Sequence, residues 1–493
     1  MLLPMSPTDS LFLLGESREH PMHVGGLAVF TPPDGATATD VRALFETALT
    51  SGQVAPLFRK RARRAVTSLG QWGWETVPEE AVDLDHHVHR HALPRPGGMD
   101  ELMALVSRLH AALLDRSRPL WEMHLIEGLA DGRYAVYTKI HHALADGASA
   151  IALLRDALSE DPHRYNMPAP WQPRHRLAAV PDRKPVGERQ DTGLLGPPGA
   201  RLPGIVWPGM VWDAARTVAG EVTGLVPAAV GTVDRALHGR GGALSLTAPH
   251  TVLNVPIGGA RHVAARSLPL ERIRLLAKHA DATINDIVLT MSAGVLRTYL
   301  SARGALPADP LIAMVPVSLR DTDTDTDGRQ GSGSGSDSGS GGNRVGVLMC
   351  NLATHLPDPG HRLETVRTSM TEGKAALRSM SPAQVLAMSA LGAAPLGMEM
   401  LLGRRGPLRP PFNVVISNVP GPRTPLYWNG ARLDALFPLS IPTTGQALNI
   451  TATSSDDQIA FGLTGCRRAV PDLHPMLAHL GDELAALEQA VGL

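Results

Sequence analysis

The sequence predicts a mixed α/β protein of two domains, and three observations carry that expectation. The chain has 493 residues, more than one ordinary core accommodates. Strand-like and helix-like hydrophobic patterns are interleaved in both halves. Between them, from about Asp161 to Gly242, the chain turns rich in Pro, Arg and Gly, a composition suited to a connection. The expected division is therefore a first domain at 1–165, an interdomain linker with a helix at 166–245, and a second domain at 246–493.

Taken in order, Ser6 is an N-cap for a helix containing Leu11 to Leu14, and Val24 to Phe30 reads as a strand. Thr39 to Thr50 reads as a helix. The basic cluster Arg59, Lys60, Arg61, Arg63 and Arg64 has the character of a solvated helix face, although it could hold coenzyme phosphates or an anionic membrane surface. Asp83 to Ala92 alternates as a strand, which sends His86 and His87 to opposite faces and leaves His89 and His91 without a partnering Cys for metal. Met99 to Leu114 has helical periodicity. Glu122 to Ile126 and Arg133 to His142 then form a hairpin across Gly128 to Gly132, and Ala148 to Leu158 is a small-residue helix.

The linker carries one helical island, Val211 to Leu237. The second half restarts with a strand at Thr251 to Pro256, helices at Leu270 to His279 and from Thr283, and a strand at Leu311 to Val317. The Asp-Thr and Gly-Ser repeats of 321–342 cannot bury a core and are expected to be a disordered insertion. A strand at Arg344 to Leu352, helices across Arg362 to Leu402 and a strand at Phe412 to Ser417 follow. A hairpin of Leu448 to Thr453 with Gln458 to Leu463 precedes a last helix from Leu473.

The formal charge of -1 gives no bulk electrostatic reason to expect nucleic acid as a partner. Two cysteines, Cys350 and Cys466, make neither a disulfide framework nor a multi-Cys metal site. The N-terminal residues lack a signal peptide's basic region and cleavage site, so a cytoplasmic protein is expected. Val385 to Gly403 is apolar and of membrane-spanning length, but Pro395, Glu399 and three Gly favour a buried helix pair.

The chemistry concentrates at His141-His142-Ala143-Leu144-Ala145-Asp146-Gly147, where a strand gives way to a helix. A neutral imidazole projecting from such a seam can take a proton from a hydroxyl or amine. Asp146 is placed to orient it or to lock the loop, and Gly147 offers a positive φ or clearance for a substrate. Metal binding is a competing reading, but adjacent histidines diverge on extended backbone and no third ligand is near. A nucleophilic triad lacks its Gly-x-Ser-x-Gly elbow. Two satisfied structural histidines remain an alternative.

This heptapeptide resembles the active-site signature of the coenzyme A-dependent acyltransferase superfamily, which includes chloramphenicol acetyltransferase and condensation domains. Further segments are similar to the bacterial wax ester synthase/diacylglycerol acyltransferase family. They are Ser6-Pro7-Thr8-Asp9, His20-Pro21-Met22-His23-Val24-Gly25, Pro119-Leu120-Trp121 and Thr283-Ile284-Asn285-Asp286-Ile287-Val288, then Val315-Pro316-Val317-Ser318-Leu319-Arg320 and Ser417-Asn418-Val419-Pro420-Gly421-Pro422. The resemblance spans nearly the whole chain in order. It implies two chloramphenicol acetyltransferase-like domains, each a mixed sheet flanked by helices, with a channel between them. It also implies transfer of a fatty acyl group from acyl-CoA, a substrate and not a cofactor, to diacylglycerol or a long-chain alcohol.

By that resemblance His142 is the general base, His141 and Asp146 hold the geometry, and Gly147 leaves room in the channel. Asn285, Ser417 and Asn418 are candidate substrate-binding or oxyanion donors, against the plainer roles of a helix cap for Asn285 and a turn for Asn418. No metal or cofactor is expected. Peripheral contact with the inner membrane face or with lipid droplets is expected, since the acceptors are lipids. Condensation-type acylation of another acceptor and non-catalytic binding to a lipid surface are the alternatives. The chain departs from the family pattern at the 321–342 insertion and at Cys466-Arg467-Arg468, where an acidic residue is common.

Overall fold

The structure is a computed structural model that describes residues 2–64, 72–174, 242, 245, 247–318, 345–379 and 409–493. The first half opens with strand β1 (Leu2–Pro4) and helix α1 (Pro7–Gly15), whose N-cap Ser6 accepts from Asp9 N, as its position before the apolar run predicts. Next come β2 (His23–Thr31), α2 (Ala38–Thr50), β3 (Lys60–Arg64), β4 (Trp72–Thr76), a single helical turn α3 (Leu84–His87) and β5 (Val88–Ala92). Helix α4 (Met99–Ala111) leads to β6 (Trp121–Glu127), β7 (Tyr134–His141) and α5 (Gly147–Ala157).

The second half contains β8 (Arg261–Pro269), α6 (Leu270–His279), α7 (Ile284–Ser301), β9 (Ile312–Ser318), β10 (Val345–Asn351) and α8 (Pro359–Arg378). It continues with β11 (Val414–Val419), β12 (Tyr427–Trp428), β13 (Ala431–Leu439), β14 (Leu448–Ser455), β15 (Gln458–Cys466) and α9 (His474–Val491). The fold is mixed α/β. Each half centres on a six-stranded sheet, ordered β12-β13-β2-β7-β6-β5 and β10-β9-β11-β14-β15-β8, and both combine parallel with antiparallel pairs.

The two halves are interlocked. Strand β13 pairs antiparallel with β2, so residues 427–439 of the second half complete the first sheet. The expected division at 1–165 and 246–493 contains no sign of this exchange. Beside it, Val263 and Ala460 of the second sheet pack in one cluster with Leu102 and Val106 of α4, and Val263 N donates to Ser107 Oγ at 3.0 Å. Gly462 on β15 permits the crossing, because a Cβ there would collide with Pro438 O of β13.

Several expectations are corrected. Thr251 to Pro256 is irregular, because the Asn254 amide donates to Phe412 O at 3.1 Å and Gly445 O at 2.7 Å in place of a ladder. The strand begins later, at Arg261. The basic cluster is no helix face: Lys60–Arg64 is an edge strand of a three-stranded sheet ordered β1-β4-β3, with Arg61 and Arg63 paired to Glu75 at 2.7 and 2.9 Å.

His86 and His87 lie in a helical turn, not on a strand. His87 is buried, stacked 4.5 Å from the Trp121 ring, with Nδ1 2.8 Å from Trp121 O. The linker helix 211–237, the insertion 321–342 and the apolar stretch 385–403 lie outside the described residues. Among the described residues no helix is long and apolar enough to cross a membrane.

Candidate active site

Strand β7 carries the two histidines to the seam. It lies between β2 and β6, which sets His141 directly opposite His23. The chain then turns sharply, with Leu144 N and Ala145 N both donating to His141 O, at 2.8 and 3.2 Å. Asp146 stops the turn and starts α5: its Oδ1 accepts from Ser149 N at 2.7 Å, which satisfies an otherwise orphaned helix donor. Gly147 is the first helical residue. Its φ is not positive, which removes that half of the expectation, and a Cβ there would meet nothing within 4 Å, so the space beside it is open.

His141 is fully buried and locked. Its Nδ1 accepts from Ala143 N at 3.1 Å, which assigns the proton to Nε2, and Nε2 faces Glu16 Oε1 at 3.4 Å, the long end of such a contact. Glu16 also accepts from Met22 N at 3.2 Å and from Arg116 Nε at 2.7 Å. Burial pushes the Glu16 carboxyl up, but the bonds and charges of His141 and Arg116 more than reverse this and hold it below the usual carboxylate range. Met22 in turn accepts from His142 N at 2.8 Å. One buried carboxylate thus braces both histidines, the first through its ring and the second through the Met22 peptide.

The His142 ring is half-buried and stacked on Phe12 of α1, with centroids 4.0 Å apart and planes 23° from parallel. Burial pushes its pKa down to about 4. The Asp146 charge opposes the shift and His141 adds to it. The ring is therefore neutral near pH 7 and able to accept a proton. Asp146 acts on it through charge while its carboxylate caps the helix.

Behind the seam lies a buried polar layer. His23 Nε2 is 2.8 Å from His110 O, and His110 bridges Ser440 O at 3.1 Å and the Tyr137 hydroxyl at 2.7 Å. Lys139, with no exposed surface, pairs with Glu122 at 2.7 Å and donates to Leu109 O and Ala112 O at the end of α4. These groups fix β7 from below. His20 Nε2 contacts Thr444 Oγ1 at 2.6 Å, and Arg261 donates to Glu19 O at 2.6 Å, so the loop holding Glu16 and Met22 is clipped to the second half.

The second-half candidates are less closely tied. Asn285 is half-buried in the first turn of α7, but the cap is Thr283 with Asp286, whose carboxylate accepts from Thr283 N at 2.9 Å. Ser417 and Asn418 are half-buried on strand β11, which runs past Ser417 and so takes Asn418 out of the expected turn, and as neighbours on a strand they face opposite ways. Among the described residues none of the three makes a side-chain hydrogen bond, to His141 or His142 or to any other group. Cys350 and Cys466 are buried and free. Among the described residues no group of three or more His, Cys, Asp or Glu is arranged to hold a metal ion.

Sequence reasoning missed Glu16, Arg116 and Phe12. Each lies far along the chain from the motif, and no periodicity links them. The one signal was the position of Glu16 and Phe12 between two quoted segments, Ser6 to Asp9 and His20 to Gly25.

Comparison with known proteins adds the following. The profile of the wax ester synthase/diacylglycerol acyltransferase catalytic domain matches residues 5–288, and that of the C-terminal domain of the same family matches residues 341–488. A putative diacylglycerol O-acyltransferase of Mycobacterium tuberculosis is 52% identical over 491 residues, covering 99% of this chain and 91% of that protein. A probable diacylglycerol O-acyltransferase of the same organism is 46% identical, covering 99% of each chain. The solved structure of a wax ester synthase/diacylglycerol acyltransferase from Marinobacter aquaeolei superposes with a TM-score of 0.74 at 38% identity, covering both chains fully. The starter condensation domain of rhizomide synthetase, solved with C8-CoA and Leu-SNAC, superposes with a TM-score of 0.56 at 12% identity, covering all of this chain and 95% of that one, and shares the fold.

Proposed function

Because this chain belongs to the wax ester synthase/diacylglycerol acyltransferase family, and so is an acyltransferase, we propose that it moves a fatty acyl group from acyl-CoA to the hydroxyl of diacylglycerol or a long-chain alcohol, with His142 as general base. The observation that carries this reading is the state of His142: neutral at pH 7, stacked on Phe12, held through its backbone by Met22, and beside the open space at Gly147. The names of the mycobacterial relatives weigh towards diacylglycerol as acceptor.

In the reaction the acceptor hydroxyl gives its proton to the His142 imidazole as its oxygen attacks the thioester carbonyl. The tetrahedral oxyanion collapses, the C–S bond breaks, and the sulfur leaves with the proton from the imidazolium. No acyl-enzyme and no cofactor are needed. His141, braced by Glu16, keeps the seam rigid, Asp146 favours the imidazolium, and Gly147 leaves room for substrate. Asn285, Ser417 and Asn418 are proposed as donors to the substrate or oxyanion, where one well-aimed donor contributes about 3 kcal/mol to the barrier. Since both acceptors are lipids, the enzyme works at the inner membrane face or a lipid droplet.

The test is turnover of palmitoyl-CoA by purified protein with hexadecanol and dioleoylglycerol in parallel. Ester formation with at least one is expected. Hydrolysis alone, or no ester from either, overturns the proposal.

A further inference from the structure

The Arg-rich strand β3 forms the wall of a depression that the reaction does not use. It has a volume of about 430 Å³ and is lined by Arg61, Arg63, Arg64, Trp72, Arg116 and Ser117. Its lining joins β3, the edge strand of its sheet, and Trp72 of the neighbouring β4 to the turn that holds Arg116 and Ser117. Arg61 and Arg63 share Glu75 at 2.7 and 2.9 Å, and Arg61 also donates to Ser117 O at 3.1 Å. Arg64 makes no ion pair among the described residues, and its guanidinium lies 4.6 Å over the Trp72 ring. Arg116 pairs with the buried Glu16 at 2.7 Å. Four arginines thus line the depression, and two carboxylates pair with them, Glu75 with Arg61 and Arg63 and Glu16 with Arg116.

Resting on the acyl-CoA reading above, we propose that this depression binds the phosphate-bearing nucleotide end of the coenzyme. Guanidinium forks match phosphate oxygens in bidentate geometry, which a point charge does not. The flat Arg64–Trp72 stack offers a surface for a purine ring. The place also fits: Arg116 touches the depression on one side and the Glu16 brace of His141 on the other, so a nucleotide held here has its thioester arm directed from a point one residue away from that brace.

The experiment compares palmitoyl-CoA with palmitoyl-pantetheine, the same thioester without nucleotide or its phosphates, for the unmodified protein and for Arg64→Gln and Arg63→Ala. Each substitution is expected to raise KM for palmitoyl-CoA roughly tenfold with kcat within about twofold, and added salt to raise it further. Loss of an arginine and loss of the phosphates are expected to be strongly non-additive in KM. An unchanged KM for palmitoyl-CoA, or equal rises for both thioesters, overturns the proposal. Loss of flotation with phosphatidylglycerol vesicles without that coupling also overturns it, and makes the depression a membrane contact. If neither thioester is turned over at all, the acyltransfer reading fails instead. Calorimetric titration with free CoA then decides the site: tenfold weaker binding by Arg64→Gln upholds it, and unchanged binding overturns it.

Discussion

Replacing Glu16 by Ala removes one carboxylate and releases two groups the chemistry needs. In the structure that carboxylate accepts from Met22 N at 3.2 Å, faces His141 Nε2 at 3.4 Å and pairs with Arg116 at 2.7 Å. Among the described residues Met22 N donates to nothing else, and an unpaired buried donor costs about 1–3 kcal/mol, to which is added the loss of the carboxylate facing His141 Nε2. The loop relaxes to recover part of that, and the movement falls on His142, whose backbone hangs from the Met22 carbonyl. If about 2 kcal/mol of the loss is felt in the transition state, kcat drops roughly thirtyfold. Glu16→Gln keeps the acceptor oxygen and the shape, and is expected to retain several times more activity than Glu16→Ala. The assay is the initial rate of thiol release from palmitoyl-CoA, with kcat and KM resolved separately. Full kcat in Glu16→Ala would refute the claim that this carboxylate positions the two histidines.

Three further outcomes follow from the same groups. Because burial sets the His142 pKa at about 4, the rate against pH is expected to be flat from roughly pH 8 down to roughly pH 5 and to fall below that; a midpoint near the ordinary histidine value contradicts it. His87 and His124 are likewise pushed to about 4 by burial, so the unfolded chain binds more protons than the native one between about pH 6.5 and 4. Their contribution is fully present above about pH 6.5 and is lost as pH falls, by up to about 2 kcal/mol each at pH 5, which urea unfolding at pH 7 and pH 5 measures. Asp146→Ala removes the cap of α5 at a cost of about 1 kcal/mol and withdraws the charge favouring the His142 imidazolium, so kcat falls further than stability does.

The motif and its setting were legible because they are local. The expected strand from Arg133 to His142 is observed as Tyr134–His141, and the helix expected from Ala148 starts at Gly147, one residue earlier because Asp146 caps it. The hairpin of the second half, expected at Leu448 to Thr453 and Gln458 to Leu463, is observed as Leu448–Ser455 and Gln458–Cys466. What was not legible depends on distant partners. Lys60 to Arg64 is too charged to suggest a strand, and becomes one because Glu75 on the neighbouring strand answers two of its arginines. Residues 431–439 carry a good strand pattern, but nothing local says that their partner is β2, some 400 residues earlier, and not a strand of their own half. Glu16 and His141 are brought together from distant parts of the chain, and a lone acidic residue after a short helix has no periodic signature. Asn418 was placed in a turn by the Pro420-Gly421-Pro422 that follows, whereas the pairing of β11 with β14 extends through Val419.

The central claim is that His142 takes the acceptor's proton, and the direct measurement is single-turnover ester formation by His142→Ala, with the fold checked by circular dichroism and acyl-CoA binding by calorimetry. The account predicts a loss of roughly 10² to 10⁴ in the rate of the chemical step with binding retained. Ester formation at the unmodified rate would contradict it.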